Sequence, residues 1–139
     1  MEKIPFSKYD SRKMEDLHWE TQQWKSDLQF VHDEVMFIEQ LLQSYVFEPN
    51  TPNLFERLQD YLARLETFKD ERTRLLAALA RHENELGGMW ECKDSDCNGG
   101  YHKSHDDLRT TVNGLTKKFS ILKSEIFNYA GGILKKRKA

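Results

Sequence analysis

Apolar residues recur at alternating steps of three and four along most of this chain, and that spacing constrains the fold more than any other feature. The first such series contains one polar member, Thr21. Its positions are Met14, Leu17, Thr21, Trp24, Leu28, Val31, Val35, Ile38, Leu42 and Tyr45. A mean step of about 3.5 residues keeps an apolar stripe on one side of a helix that packs against another helix. The series therefore predicts a first helix over residues 10–47.

A second series follows a short turn that contains two prolines. Pro49 disfavours helical geometry in the residue before it, and Thr51 followed by Pro52 has the composition of a helix start. Gly87 and Gly88 follow the last apolar position, where glycine commonly ends a helix. We expect a second helix over about 52–86. Its stripe positions are Leu54, Leu58, Tyr61, Leu65, Phe68, Arg72, Leu75, Leu79, His82 and Leu86.

A third series predicts a helix over about 104–130. Ser104 would cap its first turn, with Asp107 three residues later forming an approximate capping box. Gly131 and Gly132 would fray or end the helix, and a basic tail over 133–139 would follow as a disordered segment. The stripe positions are Leu108, Val112, Leu115, Phe119, Leu122, Ile126, Tyr129 and Ile133.

Three helices of this kind predict an all-α protein. The turn between the first two is short enough to make them antiparallel neighbours. The simplest closed packing of three stripes is then a coiled-coil-like, up-down-up antiparallel three-helix bundle, with a long loop over 87–103 between the second and third helices. A chain of 139 residues fits a single domain over 1–139, and its 7 Gly and 3 Pro suit helices better than strands.

The sequence has no candidate membrane span, because no apolar stretch approaches the roughly 20 residues that such a helix needs. Its N-terminus lacks the apolar core of a secretory signal, so we expect a cytoplasmic protein. The two cysteines would then be mostly reduced thiols.

Charge differs between the first and third predicted helices. Residues 10–48 contain nine acids and three bases, whereas residues 103–139 contain three acids and nine bases. We expect the flanks of these two helices to face each other, with each exposed ion pair adding little stability but helping to select the partner helix. The flanking residues are Glu20, Asp27 and Glu34 on the first helix and Arg109 and Lys123 on the third.

Two polar residues interrupt the second stripe. Arg72 can extend its guanidinium outward to solvent along an apolar stem, and we expect that orientation rather than an ion pair with an acid of the first helix. His82 lies near one end of the bundle, where we expect it to be partly exposed.

Phe30, Phe37 and Leu41 lie beside the first stripe. One explanation is burial within the chain, because helices that face the core of a globular bundle have wider apolar stripes than coiled coils. The other is a surface that binds a partner helix or a second copy of the chain.

The 87–103 segment contains both cysteines of the chain. The candidate metal ligands are Cys92, Cys97, His102 and His105. Two thiolates and two imidazoles form the ligand set of a closed tetrahedral zinc site, and zinc can order a loop that has little core of its own. In an up-down-up bundle, His18 and His82 would lie at the same end of the molecule. The sequence requires no cofactor, and zinc is the leading candidate for a bound metal.

The same segment has three other interpretations. Residues 94–99 match the first half of a calcium-binding loop, although His105 stands where a bidentate glutamate is expected. Cys92 and Cys97 could form a disulfide, which a reducing compartment disfavours. The segment could also be an ordinary solvated connection, in which Tyr101 helps to cover the end of the bundle.

The sequence favours a non-enzymatic interaction or scaffold protein that presents Phe30, Phe37 and Leu41 to a protein partner or to a second copy. Glu15 and His18 have the spacing of a di-iron ligand pair, but the second such motif is missing. No other catalytic constellation is complete enough to predict an enzyme.

Two alternative functions use other residues. The first is a zinc-binding protein that uses the loop from Cys92 to His105. The second is electrostatic binding to nucleic acid through Lys117, Lys118, Lys123 and the basic tail. Because the net charge is −2, which excludes a globally basic binder, nucleic acid is not the partner we expect.

Overall fold

The computed structural model describes residues 8–91 and 95–136, and within these ranges it leaves out the side chains of residues 8–13 and 89–99. Three helices occur in the described part of the chain: α1 (Lys8–Leu42), α2 (Leu54–Glu91) and α3 (Ser95–Gly132). No strand occurs among the same residues, apart from one isolated β-bridge. The predicted all-α, three-helix class is confirmed. The up-down-up order of the helices stays a prediction.

The three-and-four spacing identifies the buried side of α1 with one exception. From Met14 to Leu42, each of the nine predicted stripe positions is buried, and Leu28, Val35 and Ile38 are fully inaccessible. Burying each such side chain stabilises the fold by about 1.5–3 kcal/mol relative to leaving it in water. The remaining position, Tyr45, lies beyond the end of the helix and is 90% exposed.

The chain divides into two compact units. Unit 1 consists of Met1–Asp27 and Arg74–Val112, and unit 2 consists of Leu28–Thr73 and Asn113–Ala139. Each unit contains a segment of every helix. The described core of unit 1 is Met14, Leu17, Thr21, Trp24, Leu75, Leu79, His82, Leu86, Tyr101, His105 and Val112. The described core of unit 2 is Leu28, Val31, Val35, Ile38, Leu42, Phe47, Tyr61, Leu65, Phe68, Leu115, Phe119, Ile126 and Ala130. The single domain stays a prediction.

Helix α1 ends at Leu42, before the predicted end at residue 47. Ser44 closes the last turn, since its backbone N–H and its hydroxyl both donate to the carbonyl of Leu41, at 3.1 and 2.6 Å. Satisfying a terminal carbonyl in this way ends the helix without glycine. The chain beyond the helix therefore buries Phe47, at 4% exposure, in place of the predicted Tyr45.

Phe47 also pairs with Leu134 in an isolated antiparallel bridge within unit 2. The N–H of Glu48 donates to the carbonyl of Ile133 at 2.8 Å, and the N–H of Lys135 donates to that of Val46 at 2.7 Å. The first part of the tail over 133–139 is thus held by backbone hydrogen bonds, which corrects the prediction of a disordered segment. Arg137, Lys138 and Ala139 lie outside the described residues.

Helix α2 begins at Leu54 rather than at residue 52. The Thr51 hydroxyl donates to the carbonyl of Glu48 at 2.7 Å, so this side chain stabilises the preceding turn and does not cap the helix. Asn53 takes the N-terminal position, because its carbonyl accepts the first helical bond, from the N–H of Arg57 at 2.9 Å. Its φ of 57° lies in the left-handed region that asparagine tolerates better than most residues.

The predicted loop over 87–103 is wrong for the residues that the structure describes. Helix α2 continues through Gly87 and Gly88 to Glu91, and α3 begins at Ser95. Ser104 therefore lies inside α3 and does not cap it. In α3 the extension buries Tyr101, a gain of about 1.5–3 kcal/mol that offsets the cost of about 1 kcal/mol for each of the two helical glycines before it. Helix α3 ends at Gly132, in agreement with the predicted effect of its glycine pair.

None of these helices combines the length and the apolar character that a bilayer crossing requires, as far as the described residues extend.

Candidate functional site

The structure describes two of the four predicted metal ligands. Cys92 lies outside the described residues, and Cys97 belongs to α3 but its side chain is among those left out. His102 and His105 lie on α3, where His102 is half-buried and His105 is fully buried. Within the described residues, no group of three or more histidine, cysteine or acidic side chains is arranged to hold a metal ion. The zinc site stays a prediction.

Three titratable side chains of unit 1 form a hydrogen-bonded chain that we call the histidine cluster: Glu20 on α1, His82 on α2 and His105 on α3. The Nε2 atom of His105 lies 2.6 Å from Oε1 of Glu20. The Nδ1 atom of His105 lies 2.9 Å from Nε2 of His82. Side chains from all three helices thus meet in the core of unit 1. His82 is 2% exposed, which corrects the prediction of partial exposure.

Aromatic rings cover both histidines. The ring of Tyr101 is nearly parallel to that of His82, with centroids 4.1 Å apart and an interplanar angle of 6°. The ring of Trp24 stacks on His105 at 4.6 Å. These contacts fix the ring planes and exclude water, so the hydrogen bonds of the histidine cluster act in a medium of low polarity.

The cluster allows only certain arrangements of protons. A carboxylate accepts hydrogen bonds, so His105 must donate from Nε2 to Glu20. If His105 is neutral, its Nδ1 accepts a hydrogen from Nε2 of His82, and Nδ1 of His82 is then a bare acceptor. That Nδ1 atom and the hydroxyl of Tyr101 are buried without a hydrogen-bond partner among the described residues.

Burial and neighbouring charges shift the pKa values of His82 and of Tyr101, whose ring covers it. The pKa of His82 falls from 6.5 to about 4, because burial disfavours its charged form and, secondarily, because His105 lies beside it, while Glu83 opposes the change. Burial also raises the pKa of Tyr101 to about 12, with smaller contributions from Glu85 and Glu83. Both side chains are therefore neutral near pH 7.

Arg109 holds the acidic end of the cluster. Its Nη2 and Nε atoms donate to the two oxygens of Glu20, at 2.6 and 3.2 Å. These hydrogen bonds are the main cause of the lowered pKa of Glu20, followed by an opposing effect of burial and a further lowering by the bond to His105. The pairing of Glu20 with Arg109 confirms the charge match predicted between the first and third helices.

The cluster favours a structural role for its histidines. A zinc ligand must offer a ring-nitrogen lone pair to the metal, and both ring nitrogens of His105 lie in hydrogen bonds. Metal binding by His105 would have to break one of them. The sequence contains a signal for this cluster, since stepping back from Leu108 by three and then by four residues gives His105 and Tyr101.

Unit 2 contains the second predicted charge match. Nζ of Lys123 lies 2.8 Å from Oε2 of Glu34, which confirms that pair. Arg72 does not extend freely into solvent as predicted. It is half-buried, its Nε donates to the backbone carbonyl of Leu28 at 2.8 Å, and it interacts electrostatically with Asp33, so it joins α2 to α1.

The predicted partner-binding residues lie on α1 in unit 2. Phe30 is 66% exposed, Phe37 is 60% exposed and Leu41 is half-buried. The explanation by burial within the chain is therefore wrong for both phenylalanines. A spacing of seven residues places them within about 20° of each other around the helix, about half a turn from Leu28. We call this surface, with Asp33 between the two rings, the α1 outer face.

Unit 2 also has an apolar cleft between α2 and α3, which the sequence analysis missed. Its volume is about 330 Å³. It is lined by Arg64, Thr67, Phe68, Lys118, Ile121, Leu122 and Glu125. Ile121 is 63% exposed and lies off the apolar stripe of α3, so the spacing of the stripe gave no sign of it. We call this feature the α2–α3 cleft.

No known protein family, curated protein or solved structure matches the chain.

Proposed function

We propose that this chain is a non-enzymatic interaction protein that binds a protein partner through the α1 outer face of unit 2. One observation carries the proposal: Phe30 and Phe37 are 66% and 60% exposed and lie on the same side of one helix. Phenylalanine burial is worth about 1.5–3 kcal/mol per side chain, so a partner that covers both rings gains a large part of a typical binding free energy.

The spacing of the two rings suits a helical interface. Helices that dock in apolar grooves use anchors at positions i, i+3, i+4 and i+7, and Phe30 and Phe37 are seven residues apart. Aromatic residues are enriched in the buried centres of interfaces, where a few side chains supply most of the affinity. Leu41, half-buried one turn beyond Phe37, extends the apolar surface toward the end of α1.

The non-enzymatic part of the proposal is supported by the histidine cluster. A general acid or base must come within hydrogen-bond distance of the proton that it transfers. His82 and His105 are 2% and 0% exposed, and each is covered by an aromatic ring. Both histidines of the cluster are thus closed off from a substrate in solution.

Site-specific photo-cross-linking tests the proposal. A photoreactive phenylalanine analogue in place of Phe37 should trap one protein of defined mass in the native cells, identified by mass spectrometry as a second copy or as another protein. Trp19, which is 66% exposed in unit 1, is the matched control position. Replacing Phe30 by alanine in the Phe37 analogue should lower the yield. The proposal fails if position 37 traps no defined product, or if position 19 traps the same product equally well.

A further inference from the structure

We infer that the partner is a second copy of this chain, whose α2–α3 cleft receives the α1 outer face of the first copy. This inference rests on the proposed function and names the partner for the same surface. It follows from the two features that unit 2 presents to solvent, one of which projects side chains outward while the other is concave.

The two surfaces match in shape and polarity. The α1 outer face projects the rings of Phe30 and Phe37, which are about 10 Å apart along the helix axis. The α2–α3 cleft has a volume of about 330 Å³ and apolar walls that include Ile121 and Leu122. Pockets of this size, apolar with a few polar groups at the edge, are typical binding sites for an anchoring side chain.

The two surfaces also match in charge. On α1, Glu34 and Glu39 pair with lysines of the same chain, so Asp33 is the acid of this segment that is in no ion pair within the described residues. On α3, Lys118 and Lys123 are likewise paired with glutamates, which leaves Lys117 as the exposed base. Opposite charges on the two surfaces favour this pairing and increase the rate of association.

One exposed acid lies on the α1 outer face, and one exposed base lies beside the α2–α3 cleft. Asp33 is exposed between the two phenylalanines and accepts a hydrogen bond from Gln29 at 3.2 Å. Lys117 is exposed one helical turn before Ile121, on the same side of α3, and forms no ion pair within the described part of the chain. A copy seated with its rings in the cleft can place Asp33 beside Lys117.

The alternative pairing, between the α1 outer faces of two copies, is less favourable. Asp33 lies midway between Phe30 and Phe37, so bringing the two faces together around their phenylalanines also brings Asp33 close to its own equivalent. Two like charges at a contact oppose association. The contact between unlike surfaces is heterologous, so it continues from copy to copy until a ring closes or an open chain forms.

Sedimentation velocity over a series of protein concentrations tests the inference. We expect the wild type to associate reversibly, and Phe30→Ala with Phe37→Ala to weaken association by about a hundredfold or more. Ile121→Glu, which places a charge at the edge of the cleft, should also weaken it. Trp19→Ala is the control for loss of an equally exposed aromatic side chain and should leave association unchanged.

A charge exchange identifies the two surfaces as partners. Asp33→Lys and Lys117→Glu should each weaken association about fivefold or more, because each replaces an attraction by a repulsion at the edge of the contact. Both changes in one chain, or an equal mixture of the two single variants, should restore it. All these side chains are exposed, so circular dichroism should show the same helix content in every variant.

The outcomes separate this inference from the proposed function. A wild type that stays monomeric at every concentration overturns the inference. Loss of association in the phenylalanine variant with no effect of Ile121→Glu or Lys117→Glu also overturns it, since the α1 outer face would then bind elsewhere on the second copy. In both cases the proposed function stands if photo-cross-linking at position 37 still traps a defined protein, and it fails if it traps none.

Discussion

All three polar residues that are buried in the described chain, Thr21, His82 and His105, belong to unit 1, whereas the described core of unit 2 consists of hydrophobic residues. The surface of unit 2, in contrast, exposes more large hydrophobic side chains than that of unit 1. Unit 1 has one large exposed hydrophobic side chain among its described residues, Trp19. Those of unit 2 are Phe30, Met36, Phe37, Tyr45, Val46, Phe55, Ile121, Phe127 and Leu134.

The same three helices thus form a partly polar core in unit 1 and an apolar core in unit 2. A buried polar cluster makes the stability of a core depend on hydrogen-bond geometry and on pH, because each donor and acceptor must find its partner. An apolar core depends on shape and is nearly independent of pH. Unit 2 has such a core, and its additional apolar side chains are exposed to solvent.

The largest expected effect tests the apolar core of unit 2. Phe68 is 2% exposed, and its ring lies 5.0 Å from that of Phe119. Phe68→Ala should lower the free energy of unfolding by about 3–5 kcal/mol, because it removes buried apolar surface and leaves a cavity. Denaturant unfolding at pH 7 and pH 5 should give the same loss. A loss that changes strongly between the two pH values would contradict the assignment of a pH-independent core.

The next effect tests the polar core of unit 1. The pKa of His82 is about 4 in the folded chain and 6.5 ordinarily, so between these values the unfolded chain binds more protons. The free energy of unfolding should therefore fall as the pH falls from 6.5 to 4, by about 3 kcal/mol, and this contribution should be constant above pH 6.5. Denaturant unfolding at a series of pH values measures the slope.

Two variants show whether His82 causes that slope. His82→Phe removes the titrating group and should flatten the profile between pH 6.5 and pH 4. His18, an exposed histidine of the same unit, provides the control, and His18→Gln should leave the slope unchanged. A profile as steep in His82→Phe as in the wild type would show that the acid sensitivity arises elsewhere.

A smaller loss of unfolding free energy is expected when one ion pair of each unit is disturbed. Glu20→Gln should lower the free energy of unfolding by about 1–3 kcal/mol, because Glu20 accepts a hydrogen bond from the fully buried His105. Glu34→Gln, which disturbs the pair with Lys123, should cost less than about 1 kcal/mol. The pKa of Glu20 lies below 4.5, so its contribution should be lost only as the pH falls below that value. Equal losses for the two variants would contradict the comparison.

The smallest expected effect concerns the α1 outer face. Phe30→Ala with Phe37→Ala should change the free energy of unfolding of the dilute monomer by no more than about 0.5 kcal/mol, because both side chains are already exposed to water. A loss of several kcal/mol at low concentration would mean that these rings stabilise the single chain, and the surface would then not be free for a partner.

The helices were predictable because their burial follows a regular spacing. Leu28, Val35 and Ile38 are fully buried at positions that the sequence alone identifies. Ion pairing was predictable for the same reason, since a seven-residue repeat of acids on one helix flank places Glu20 opposite Arg109 and Glu34 opposite Lys123. When residues are regularly spaced on two helices, the alignment of the helices determines which of them make contact, even if they are far apart in sequence.

The boundaries were less predictable because local signals compete with burial. Gly87 and Gly88 resemble a helix end, yet α2 continues through them. A loop over these residues makes His105 a candidate metal ligand and conceals its place on the apolar stripe of α3. The bridge between Phe47 and Leu134 joins residues far apart in sequence, and no periodic pattern indicates such a pairing.

Footprinting by a reactive carbene at increasing protein concentration tests the contrast between the two units most directly, since it reports the solvent access of individual side chains. Labelling of Phe30, Phe37 and Ile121 should decrease together as the concentration rises, while labelling of Trp19, equally exposed in unit 1, should stay constant. If labelling of all four side chains is independent of concentration, or if Trp19 is protected as strongly as the phenylalanines, self-association through unit 2 is contradicted.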